Sequence, residues 1–71
     1  MKVEILGEYI KLGQLIKKLD LIDTGGQIKD FLKNNIIKIN NEIPKGRSTK
    51  VFVDSTVWIG DEVYKIINSI A

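Results

Sequence analysis

From Lys11 onward the apolar residues Leu12, Leu15, Ile16 and Leu19 recur at i, i+3, i+4 and i+7. That spacing lays one apolar stripe along a helix and leaves Lys11, Gln14, Lys17 and Lys18 on its wet side. The preceding stretch, Met1 to Leu6, sets Val3 and Leu6 loosely against Lys2 and Glu4 and fits either a short strand or an irregular lead-in. Asp20 to Asp23 break the helical rhythm, with Leu21 and Ile22 as apolar anchors in the connection. Thr24 and Gln27 then stand at the spacing of a capping box, in which the Thr oxygen accepts from the Gln27 amide and the Gln side chain reaches back. The second helix that follows buries Ile28, Phe31 and Leu32, carries Lys29 and Lys33 one turn apart on another face, and ends at Asn34-Asn35.

Beyond Asn35 the period changes from 3.6 to 2. Ile37 and Ile39 flank Lys38 as in a half-buried strand, and Asn40-Asn41 suits a tight turn because asparagine tolerates positive φ. Pro44 to Thr49 reads as a polar loop carrying Lys45, Gly46 and Arg47. Short strands follow at Lys50 to Val53, Thr56 to Ile59 and Glu62 to Ile67, joined by turns at Asp54-Ser55 and Gly60-Asp61. The expected architecture is α+β: two N-terminal helices packed on a small, mostly antiparallel sheet. Ile28, Phe31, Leu32, Ile37 and Ile39 belong to its expected core.

With 71 residues the chain has room for one domain, residues 1–71. A hydrophobic fraction of 44% and a charged fraction of 28% fit a folded domain better than a disordered tail. Cysteine and histidine are absent, which removes disulfides, thiol nucleophiles, imidazole bases and zinc sites with sulfur or nitrogen ligands. No metal or other cofactor is expected. No apolar run approaches the roughly 20 residues of a membrane span, and the expected location is the cytoplasm.

The overall charge of +2 is too small to name a partner, but its distribution is uneven. Lys29, Lys33, Lys38, Lys45, Arg47 and Lys50 oppose only Asp30 and Glu42, a net of +4 from six cations and two acids. Residues 1–28 are neutral and residues 54–71 carry −2. A basic centre is either a set of solubilising lysines or one positive face.

Carboxylates such as Asp20 with Asp23, or Asp61 with Glu62, fall in turns and at helix ends, where exposed acids serve capping and solubility. Catalysis is not expected of them. Thr24-Gly25-Gly26 at a helix start is compatible with a phosphate on backbone amides, yet the full spacing of a phosphate-binding loop is missing. Of the aromatic residues, Phe31 and Phe52 read as core, while the alternation around Trp58 and Tyr64 leaves their faces open.

Leu12-Gly13-Gln14-Leu15-Ile16-Lys17, Thr24-Gly25-Gly26-Gln27-Ile28-Lys29, Ile37-Lys38-Ile39-Asn40-Asn41-Glu42 and the Lys45-Gly46-Arg47 loop follow one another in an order that resembles the alpha-L RNA-binding motif, or S-four domain. The likeness is nearest to its stand-alone bacterial members of YaaA and YbcJ type and spans about residues 9–67. It implies non-catalytic binding of structured RNA, ribosomal or transfer RNA, in a ribosome-associated setting, through the second helix and the loop after it. The positions it points to, together with the basic set, are Thr24, Gly25, Gly26, Gln27, Lys29, Lys33, Lys38, Asn40, Lys45, Arg47 and Lys50. The chain departs from the family pattern in having Gly25 where many members carry arginine, and Asn40-Asn41 where Asn-Gly or Asp-Gly is usual. The loop is also often richer in arginine than Lys45-Gly46-Arg47-Ser48, and because lysine acts as a point charge where arginine offers a planar fork, recognition by this chain is expected to be weaker or broader. The alternative is a small adaptor whose basic face docks an acidic protein or whose edge strand pairs with another chain. A monomer is expected.

Overall fold

The computed structural model describes residues 1–69, and of Gly25 the backbone alone. In chain order the elements are β1 (Lys2–Ile5), β2 (Tyr9–Lys11), α1 (Leu12–Lys18), a 3-10 turn (Gly25–Gln27), α2 (Ile28–Asn34), β3 (Ile37–Ile39), β4 (Lys50–Phe52), β5 (Thr56–Ile59) and β6 (Glu62–Asn68).

The expected layout, two N-terminal helices on a mostly antiparallel sheet, is corrected here. Two strands precede the first helix, and the β-structure is divided into a mixed four-stranded sheet and a separate two-stranded one. The larger sheet has the order β1-β6-β5-β3, with β1 parallel to β6 and the other pairs antiparallel. The smaller one pairs β2 with β4 antiparallel, setting Tyr9 opposite Phe52 and Lys11 opposite Lys50. The physical reason lies in alternation and in partners far along the chain. Lys2-Val3-Glu4-Ile5 alternates strictly, with Val3 and Ile5 buried, and pairs in register with Lys65 to Asn68 at the other end of the chain. Tyr9–Lys11 has only three residues, and its strand conformation comes from hydrogen bonding to β4.

The core runs between the inner face of the larger sheet and the helices. Leu12, Leu15 and Ile16 of α1 are fully enclosed, as are Val51, Val57 and Ile66 of the strands. Ile28 and Ile37 are buried as expected, while Phe31, Leu32 and Ile39 are partly buried and pack against the same cluster. Tight turns fix the strand register. Asn40 and Asn41 both adopt positive φ (52° and 71°), and Ile39 and Glu42 exchange backbone hydrogen bonds at 2.8 and 3.0 Å around them. That is the two-residue hairpin turn whose backbone twist matches its strands. The Asn40 side chain then clasps the start of β5, its Oδ1 accepting from the Thr56 amide at 2.9 Å and its Nδ2 donating to Ser55 Oγ at 3.2 Å.

Candidate nucleic-acid interface

The loop between Pro44 and Thr49 is held in place by the start of α1. Lys11, at the N-cap position, makes no side-chain cap, so the first helical amides need other acceptors. The Leu12 amide donates to the Thr49 carbonyl at 2.8 Å, and the Gly13 amide donates to the Arg47 carbonyl at 2.9 Å. The loop closes on itself as well, through the Thr49 amide to the Gly46 carbonyl at 3.1 Å. Gly13 permits this approach. A Cβ there would stand 2.8 Å from Ile28 Cδ1 and 3.3 Å from Arg47 Cβ, so α1, α2 and the loop converge on a position that carries no side chain.

Between α2 and the loop lies an open groove of about 490 Å³ lined by Gly26, Ile28, Lys29, Leu32, Lys45, Gly46 and Arg47. Three cations border it, one from the helix and two from the loop, and none of its lining residues is acidic. Arg47 also lines a second depression together with Lys11 at the end of β2 and Gln14 and Lys17 of α1. On the far side of the loop Lys45 lines a third depression with Lys50, Phe52 and Asn40.

The sequence-derived site residues therefore divide. Gly26, Lys29, Lys45 and Arg47 meet at the groove, and Lys50 lies across the loop beside Lys45. Lys33 is exposed in the last turn of α2 and does not line that groove. Lys38 faces the other way: Ile37 and Ile39 point inward, so the residue between them emerges on the outer face of the sheet, beside Trp58. Asn40 is engaged in the hairpin clasp described above. Half of the capping box forms, because Gln27 Oε1 accepts from the amides of Asp23 (2.6 Å) and Thr24 (3.4 Å). The Gln27 amide goes to the backbone carbonyl of Thr24, not to its hydroxyl, since Gly25 opens a 3-10 turn ahead of α2. The surroundings of Gly25 lie outside what the structure describes.

Sequence reasoning passed over Lys11 and Lys17 as site residues, although their spacing along the wet side of the first helix was visible. What it could not supply was the contact that brings Arg47 to that helix. Phe52, expected in the core, is instead half exposed, because in β4 the inward position belongs to Val51. Tyr64 is buried, and Trp58 is 42% exposed.

A helix pair tied to a cation-bearing loop and packed on a small mixed sheet defines the architecture around the groove. The chain belongs to the S4 domain family, whose model matches residues 3–67. It is 34% identical over 67 residues to a Bacillus subtilis (strain 168) protein named "Probable ribosome maturation protein RlbA", an alignment that covers 93% of this chain and 94% of the relative. No solved structure matches it. No helix among the described residues is long and apolar enough to cross a membrane.

Proposed function

We propose that this protein binds structured RNA of the ribosome or its precursors without catalysing a reaction, and that it does so in the cytoplasm. The observation that carries the reading is the groove between α2 and the loop, with Lys29, Lys45 and Arg47 on its borders and no acid among its lining residues. Membership of the S4 domain family and the likeness to a relative named for ribosome maturation support the same reading. Lys11 and Lys17 extend the cationic border along α1, and Lys50 extends it across the loop. The deep, narrow major groove of an RNA helix is closed to side chains, so a surface of this kind grips phosphates and 2′-hydroxyls and reads shape.

Fluorescence anisotropy with a ribosomal RNA hairpin, repeated across a salt series, tests this. With about five phosphates neutralised, log affinity is expected to fall against log salt with a slope of roughly three to five. Changing Lys45 and Arg47 together to Glu should weaken binding and flatten that slope by about two. Affinity that ignores both salt and the double substitution would remove RNA from the reading and favour an adaptor that docks an acidic protein partner.

A further inference from the structure

The outer face of the two-stranded sheet carries an aromatic pair that does not line the groove. In β2 and β4 the residues Ile10 and Val51 turn inward, so Tyr9, Lys11, Lys50 and Phe52 share the outward face. Tyr9 and Phe52 are cross-strand neighbours with ring centroids 5.6 Å apart and planes tilted by 50°. Lys50 Nζ sits 4.8 Å from the centre of the Tyr9 ring, which holds this cation beside the aromatic pair. Phe52 is 50% exposed and Tyr9 39%.

Phe52 also lines the depression of about 510 Å³ on the far side of the loop, together with Ile43, Pro44, Lys45, Lys50 and Glu42. That volume lies in the range of roughly 300–1,000 Å³ occupied by small ligands. Its chemistry differs from that of the groove. Apolar and aromatic surface forms part of the wall, two lysines stand at the side shared with the loop, and Glu42 is an acceptor where a phosphate would be repelled. A nucleobase meets all three conditions: a π-face for Phe52, an exocyclic amino group for Glu42, and flanking phosphates for Lys45 and Lys50.

We infer that Phe52, walled by Tyr9 and Lys50, is a stacking subsite for a single unpaired base bearing an exocyclic amino group, looped out of the RNA whose backbone lies in the adjoining groove. The inference rests on the RNA-binding reading and adds to it. A duplex gripped only by its phosphates leaves the subsite empty, whereas an RNA with a bulged adenosine fills it. Lys45 borders both depressions, so one strand can pass from groove to subsite across that side chain.

The test uses two RNA hairpins of equal charge density, one fully paired and one with a single bulged adenosine, and a third in which the bulge is uridine. The wild-type protein should bind the adenosine bulge more tightly than the other two. Phe52→Ala should lower affinity for the bulged RNA by about 5- to 100-fold and leave the paired hairpin unchanged, the range expected for one base–aromatic stack. Phe52→Leu, which keeps the apolar bulk, should lose the same preference. A 2-aminopurine placed at the bulge should lose fluorescence when wild-type protein binds, and this readout needs no variant. Equal affinity for all three hairpins with no change in 2-aminopurine emission would overturn the subsite while leaving the groove intact. Failure to bind any hairpin at low salt would instead overturn the RNA reading itself.

Discussion

Gly13 shows how much a single residue can decide. It lies inside a helix, where glycine is about 1 kcal/mol worse than alanine, yet the first turn of α1, Ile28 and Arg47 meet at its Cα. Alanine there recovers helix propensity and loses packing, and its nearest obstacle is the far end of the Ile28 side chain. Valine adds two methyl groups in the same space and has no compensating propensity. Gly13→Val is therefore expected to destabilise the protein by about 2–3 kcal/mol, read from urea unfolding, and Gly13→Ala by less than about 1 kcal/mol. The valine variant should also bind RNA more weakly than its remaining folded fraction accounts for, because after Ile28 Cδ1 the next atom in its way is the Cβ of Arg47. At this scale the sequence was informative about residue type and silent about convergence. Lys29, Lys45 and Arg47 stood out as basic, but nothing local says that a loop carbonyl will accept from the amide of Gly13.

Among the elements, the most legible were those whose pattern is closed within a few residues. The stripe Leu12, Leu15, Ile16 predicts α1, the Ile37–Ile39 alternation predicts β3, and β5 spans the same residues in sequence and structure. The turn after β3 is equally local, and it carries a prediction. Both Asn40 and Asn41 hold positive φ, a conformation that glycine adopts without steric cost. Asn40 gains from its side chain, which clasps Ser55 and Thr56, while Asn41 is exposed and glycine at its position gives the most favoured pair for this turn. Asn41→Gly should raise stability by about 0.5–1 kcal/mol, whereas Asn40→Gly should lower it by about 1–2 kcal/mol through the two lost hydrogen bonds. Thermal melts of the two variants, shifted in opposite directions, would check the assignment. A matched loss in both would mean that the side-chain clasp contributes little. β4 and β6 were legible as strands from their alternation, but their distant partners were not: β1 is decided as a strand by β6, the three-residue β2 by β4, and Phe52 faces outward because Val51 is claimed by the core.

For the molecule as a whole, the radius of gyration of 11.2 Å is that of a fully condensed chain of this length. Condensed does not mean heavily stabilised. At roughly 0.05–0.15 kcal/mol per residue, a domain of this size holds about 4–10 kcal/mol in reserve. The first strand draws on that reserve in two ways, by burying Val3 and Ile5 and by covering the edge of β6 along four register positions. Replacing Val3 and Ile5 together by Ala removes about five buried methyl or methylene groups. At roughly 1 kcal/mol for each, cavity included, the loss is about 4–6 kcal/mol, comparable with the whole reserve. The double variant should therefore be largely unfolded, or self-associated through the uncovered β6 edge, when far-UV circular dichroism and size-exclusion chromatography are compared with wild type. The cationic groove lies on α2 and the loop and has no residue of β1 in its lining, so RNA at saturating concentration should restore part of the folded signal by mass action. A variant that stays folded and monomeric without RNA would show that the parallel β1–β6 pair is an accessory and that the remaining sheet and helices suffice to hold the site.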